Sequence, residues 1–160
     1  SMFNNVMHIA FFTDKMDEMI DFYTNKLGCK VKVCVKYKQY LNRDDRPQMQ
    51  AMALKDPEAI FNVYMEICEG QYIELFPKQE GMLERDTIWN SRLGYSHFAL
   101  TVDDIYKTRE ELAAKGCEFD TDISIGPSQT YQMWMQDPDG NKFEIMQYTD
   151  KSYQITGHLD

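Results

Sequence analysis

His8, Glu74, His97 and Glu144 are the residues whose types and spacing could do chemistry, because they fall as two matched pairs. The first copy of a repeated pattern opens with Val6-Met7-His8-Ile9-Ala10-Phe11 and closes with Gln71-Tyr72-Ile73-Glu74-Leu75-Phe76. The second opens with Tyr95-Ser96-His97-Phe98-Ala99-Leu100 and closes with Asn141-Lys142-Phe143-Glu144-Ile145-Met146. After each histidine an amphipathic stretch ends in Gly-Cys, at Gly28-Cys29 and again at Gly116-Cys117. The first His-to-Glu interval is longer by a polar insertion, residues 41–59, that the second copy lacks. Two imidazoles and two carboxylates form a donor set for one divalent cation (Zn, Ni, Co, Mn or Fe(II)), with positions left for water or substrate. A lone strand histidine is usually a packed core residue, and a lone glutamate a solvated one. Their register within a repeat is what makes these four a metal-site expectation. His158 fits no such pattern and is expected at the surface.

These side chains need elements to aim them. Residues 4–12 read as a strand, and Thr13 or Asp14 can cap a following helix. Met16, Met19, Ile20, Tyr23 and Leu27 fall near the i, i+3, i+4, i+7 spacing of one buried helix face, and Gly28 stops the helix. Residues 30–37 alternate polar and apolar and read as a half-buried strand. The insertion is predicted to hold a short helix around 48–54, followed by strands 60–67 and 71–76 joined at Glu69-Gly70. The second copy repeats the order. A strand over 96–102 leads to a helix capped by Asp103 or Asp104, with Ile105, Thr108, Leu112 and Cys117 turned inward. A strand over 118–125 ends at Gly126-Pro127-Ser128; strands 131–136 and 142–147 then pair across Asp137-Pro138-Asp139-Gly140-Asn141.

The fold class predicted is α+β, with two βαβββ modules, about 3–78 and 93–148, joined by a linker over 79–92 into a single domain covering 1–160. The polar tail from Tyr148 is expected to be loosely held. Strand side chains alternate faces. His8 therefore lies with Val6, Ala10 and Phe12, and Glu74 with Tyr72 and Phe76, while Ile73 and Leu75 face the other way. The second copy sorts its residues likewise: Phe98, Leu100, Phe143 and Ile145 lie opposite His97 and Glu144. The apolar faces suit helix packing, so the four polar residues should face the hollow of a curved sheet. Ionised carboxylates there need a partner, and a cation is the obvious one.

A chain of 160 residues with 43% apolar and 13% aromatic content is globular rather than disordered. A net charge of −9 argues against nucleic acid as a partner, since phosphates must be neutralised by Lys and Arg. No apolar run of spanning length is present, so no membrane segment is expected. The N-terminus lacks the basic and apolar regions of a secretory signal, which points to a cytoplasmic protein with reduced cysteines. Cys29, Cys68 and Cys117 lie in or beside apolar runs, where thiols pack as small hydrophobes.

The motifs Asp21-Phe22-Tyr23-Thr24-Asn25-Lys26-Leu27-Gly28, Gly94-Tyr95-Ser96-His97-Phe98-Ala99-Leu100 and Asp137-Pro138-Asp139-Gly140-Asn141-Lys142-Phe143-Glu144 resemble the vicinal oxygen chelate superfamily over roughly residues 4–148. That group includes glyoxalase I (lactoylglutathione lyase), extradiol dioxygenases, methylmalonyl-CoA epimerase and fosfomycin- and bleomycin-resistance proteins. The order His8, Glu74, His97, Glu144 is similar to glyoxalase I of the short type. The resemblance implies curved mixed sheets around a metal-binding cleft, with a divalent ion, Ni, Co or Zn first and Mn or Fe next. The implied reaction passes through a metal-stabilised enediolate of a small substrate with adjacent oxygens. Glu144 would be the first-choice base and Glu74 its counterpart, with Tyr72, Phe76, Tyr95, Trp134 and Met146 as candidate pocket walls. A homodimer with sites at or near its interface is also implied. Three positions depart from glutathione-using relatives: Phe12 stands where an Arg is usual, Lys78 where an Asn is, and Gln129 where a Lys is. Alternatives on the same scaffold are an epimerase, an Fe(II) dioxygenase, or a binding protein of the bleomycin-resistance kind without chemistry.

Overall fold

Period-two alternation in the sequence becomes two four-stranded sheets in the computed structural model, which describes residues 1–160. The chain divides into two compact units, Ser1–Leu83 and Glu84–Asp160.

In the first unit β1 is His8–Thr13, β2 Lys30–Lys36, β3 Ile60–Cys68 and β4 Gln71–Pro77. They lie in the order β1-β4-β3-β2, with β1 parallel to β4 and the other pairs antiparallel. Helix α1, Met16–Asp21, widens into a π turn over Phe22–Lys26 and buries Met19, Phe22 and Tyr23. These side chains, with Val63, Met65, Ile73 and Leu75, make the core of this unit. Burying each such side chain contributes about 1.5–3 kcal/mol. Helix α2, Pro47–Lys55, occupies the insertion with proline in its first turn, where no amide donor is needed.

In the second unit β5 is Phe98–Thr101, β6 Ser124–Ile125, β7 Tyr131–Gln136 and β8 Lys142–Gln147, ordered β5-β8-β7-β6. Again the first strand runs parallel to the last. Helix α3, Ile105–Ala114, begins where the Asp104 carboxylate accepts the Lys107 amide at 3.0 Å, and it buries Ile105 and Leu112. Phe98, Met133, Met135, Phe143 and Ile145 complete this core. The same strand order recurs in both units, and in each a glycine with left-handed φ follows the first helix, +80° at Gly28 and +84° at Gly116.

Several expectations need correction. The first strand begins at His8 rather than residue 4, and β5 begins at Phe98, one residue past His97. The cap position of α1 falls on Lys15; Thr13 reaches it by accepting the Lys15 amide. β2 is not half-buried: as the outermost strand it leaves Val31 and Val33 exposed. The strand expected over 118–125 shrinks to Ser124–Ile125. The reason is local: the Trp134 amide is taken by the Thr121 hydroxyl at 3.0 Å rather than by a main-chain carbonyl, so the ladder is interrupted. The tail is anchored rather than loose. A short helix α4, Tyr153–Thr156, follows Ser152, which is buried against the Thr130 hydroxyl at 2.8 Å. His158 is at the surface, as expected, stacked on Tyr153 at 4.0 Å. All four cysteines are free, but Cys68 is exposed rather than packed. No helix is long and apolar enough to cross a membrane.

Candidate metal centre

Parallel pairing of β1 with β4 sets Ala10 opposite Glu74 and brings the imidazole of His8 to the Glu74 carboxylate, Nε2 to Oε1 at 3.3 Å. The equivalent pairing of β5 with β8 sets Ala99 opposite Glu144. His97, just ahead of β5, places Nε2 2.9 Å from Glu144 Oε1. A small alanine beside each carboxylate leaves room for the ring to lean across. Within each unit the fold therefore joins one imidazole to one carboxylate, through the same atoms. No group of three or more His, Cys, Asp or Glu side chains gathers in a way that could hold a metal ion.

Around each pair the surroundings are also matched. Antiparallel pairing puts Tyr64 opposite Glu74 and Trp134 opposite Glu144. Each aromatic ring meets the neighbouring imidazole edge-on, Tyr64 on His8 at 5.6 Å and Trp134 on His97 at 4.5 Å between centroids. Glu74 is 5% exposed, and Asn62 donates its amide to Oε2 at 2.8 Å, leaving Oε1 toward the histidine. Burial first, and then the Glu74 carboxylate facing it across the strand pair, raise the Tyr64 phenol's pKa above its ordinary value. On the other side the Ser96 hydroxyl lies 2.8 Å from His97 Nδ1. A hydroxyl can donate or accept, so Ser96 serves either tautomer of the ring. Asn62, Tyr64 and Ser96 were not singled out in the sequence. Superposing Tyr64 on Trp134 within the repeat is the signal that could have found the second of them.

Of the expected pocket walls, Trp134 touches His97, Tyr72 packs on Tyr64, and Phe76 stacks on Phe12 at 5.2 Å. Tyr95 is exposed on the rim of a cleft of about 790 Å³ in the second unit, shared with Arg85, Trp89, Arg92, Ser96 and Lys142. Trp89 lies over Trp134 at 5.0 Å and near His97 at 6.2 Å, its indole N–H donated to the Ser96 carbonyl. It was absent from the expected wall because it sits in the linker.

Residues 5–145 match the Glyoxalase/Bleomycin resistance protein/Dioxygenase superfamily. The chain belongs to this superfamily. Among other members, the probable chloroplastic lactoylglutathione lyase of Arabidopsis thaliana is 27% identical over 143 residues, which are 89% of this chain and 35% of that protein. The chain thus spans about a third of that relative's length. The crystal structure of the lactoylglutathione lyase from Agrobacterium tumefaciens is 19% identical, with TM-score 0.59, covering 92% of this chain and 96% of that one. The glyoxalase family protein from Enterococcus faecalis is 20% identical, with TM-score 0.66, over 91% and 99%. At these identities the likeness is one of fold.

The superfamily generally uses divalent metals, and each unit brings together two side chains of the donor types such ions take, with no third beside them. In each pair an imidazole nitrogen and a carboxylate oxygen, both ordinary N/O donors for such ions, face one another. Their far atoms are held by neighbours, Ser96 on His97 Nδ1 and Asn62 on Glu74 Oε2, which is how ligating side chains are commonly oriented.

Proposed function

We propose that the chain is a metal-dependent lyase or isomerase of the glyoxalase I kind, with His8, Glu74, His97 and Glu144 as ligands of one divalent cation. The observation that carries this is the identity of the two half-sites, Nε2 against Oε1 in each, on duplicated strands. One imidazole and one carboxylate per unit make half a ligand set, so sharing between units, across a homodimer, supplies the rest. Ni, Co and Zn are the first candidates. A bound cation would act as a Lewis acid toward negative charge developing on two adjacent substrate oxygens.

The chain's own groups do the rest. Glu144 accepts a proton from the carbon beside one oxygen and returns it to the neighbouring carbon, so no proton is gained or lost overall. Trp134 and Trp89 pack their rings against His97 and fix where it stands. Phe12, stacked on Phe76, offers no donor to a carboxylate, so the thiol adduct turned over is less anionic than that of glutathione. The test loads the purified protein with Ni, Co or Zn and measures turnover of methylglyoxal hemithioacetals of several thiols. Turnover with at least one thiol, lost in Glu144→Gln, is expected; no turnover with any thiol and any of these metals overturns the reading.

A further inference from the structure

The cleft of the second unit gathers positive charge in a chain whose net charge is −9. Arg85, Arg92 and Lys142 line it, against two acids, Asp86 and Asp139. Arg92 pairs with Asp86 at 3.2 Å and Lys142 with Asp120 at 2.6 Å. The remaining pair is of another kind. The side chain of Asp139 is only 1% exposed, yet neither of its oxygens accepts a hydrogen bond. Arg85 stands beside it with Nη2 3.3 Å from Oδ1, an attraction without hydrogen-bond geometry. Burial has stripped this carboxylate of water, and one loose ion pair is what it receives in return.

The turn does not require the Asp139 carboxylate. Asp137 accepts the turn's amides, that of Asp139 among them. Arg85 comes from the segment without strand or helix between β4 and β5, and its side chain is 40% exposed. It can therefore turn from Asp139 into the cleft. A buried anion short of donors, next to a guanidinium that reaches solvent, suits a ligand that is donor at one end and acceptor at the other. An ammonium brings three N–H donors, and a carboxylate takes a guanidinium through two parallel bonds. An α-amino acid carries both groups on one carbon. For its side chain the same cleft offers Trp89, Ile88 and Leu93, all exposed. The Trp89 ring is already held by the Ser96 carbonyl and by Trp134, so this wall needs no ordering on binding. A volume of about 790 Å³ falls within the range of small-molecule sites.

We propose that this cleft binds a free α-amino acid with an apolar side chain, which enters between Arg85 and Asp139, its ammonium on Asp139 and its carboxylate on Arg85. One internal ion pair is exchanged for two with the ligand. The site is built from the second unit alone and uses no metal, so it stands apart from the function proposed above. The test is calorimetric titration of the metal-free full chain with L-phenylalanine and L-leucine. N-acetyl-L-phenylalanine, which lacks the cation, and L-phenylalaninamide, which lacks the carboxylate, are the controls. Both amino acids should bind, and each control about ten- to a hundred-fold more weakly than L-phenylalanine, as loss of a hydrogen bond between charged groups does. Asp139→Asn should weaken L-phenylalanine to a similar degree and leave N-acetyl-L-phenylalanine as in wild type. Arg85→Gln should weaken L-phenylalanine and leave L-phenylalaninamide as in wild type. Thermal midpoints check the fold of each variant, and Arg85→Gln, at an exposed side chain, carries the test if Asp139→Asn does not fold. No heat of binding for either amino acid at millimolar concentration overturns the proposal and leaves the proposed function standing. Equal affinity for all three phenylalanine compounds overturns it, as does a loss in the variants that falls equally on every compound.

Discussion

His97 is gripped from both ends, by the Ser96 hydroxyl on Nδ1 and the Glu144 carboxylate on Nε2. When Nε2 carries the proton it donates to Glu144, and when Nε2 is given to an ion the proton moves to Nδ1 and is donated to Ser96. Removing the hydroxyl leaves Nδ1 without its partner and the ring held only by Glu144 and the tryptophans. Ser96→Ala is accordingly expected to weaken metal binding about tenfold or more, with little change in thermal midpoint, as read by chelator competition and calorimetry. A second expectation concerns Cys29, whose thiol burial pushes up to about 12 from an ordinary 9.0. The folded chain holds this proton where the unfolded chain releases it. Stability from this site is therefore complete below pH 9.0 and declines as pH rises toward 12. At neutral pH a thiol reagent should label exposed Cys34 and Cys68 and reach Cys29 only on unfolding; early labelling of Cys29 would contradict its burial.

Strand elements place the candidate ligands, and turns hold the strands in register. Asp137, buried in the turn between β7 and β8, accepts the amides of Asp139 at 2.9 Å and Asn141 at 3.0 Å and the Asn141 side chain at 2.9 Å. Asp137→Ala leaves these donors without their acceptor and should lower unfolding free energy by about 1–3 kcal/mol in urea titration. This turn was legible in the sequence because its Asp, Pro, Gly and Asn each have one conformational use. Strands 131–136 and 142–147 were legible for the same reason, being pinned at that end. Repetition alone marked His8, Glu74, His97 and Glu144 as a set; that each histidine meets the glutamate of its own unit is a finding of the structure. What repetition could not show was where the copies diverge. Residues 118–123 kept a strand-like pattern, yet Thr121 diverts the Trp134 amide and Arg109 lies over Phe119 at 4.1 Å, donating to the Thr121 carbonyl. Side-chain competition for main-chain donors has no period to read. Neither does the bond of Asn62 to Glu74, made by a buried polar residue within a core strand.

At the scale of the whole molecule, duplication gives each unit one imidazole and one carboxylate, and the proposed function requires the halves to share an ion. If they do so across a homodimer, His8→Ala and His97→Ala should each be inactive alone. Mixed in equal amounts and allowed to exchange, they should regain about a quarter of wild-type activity, since half the dimers then carry one intact site. Gel filtration with activity assays before and after exchange checks this; no recovery despite proven exchange places the site within one chain. The arrangement of aromatic rings has a further consequence. The chain has two tryptophans, and both, Trp89 and Trp134, lie beside His97. The protein thus carries indole reporters in one half-site and only phenols, Tyr64 and Tyr72, in the other. Ultraviolet emission should dim when an open-shell ion such as Co(II) settles against that imidazole, with no dye or label added.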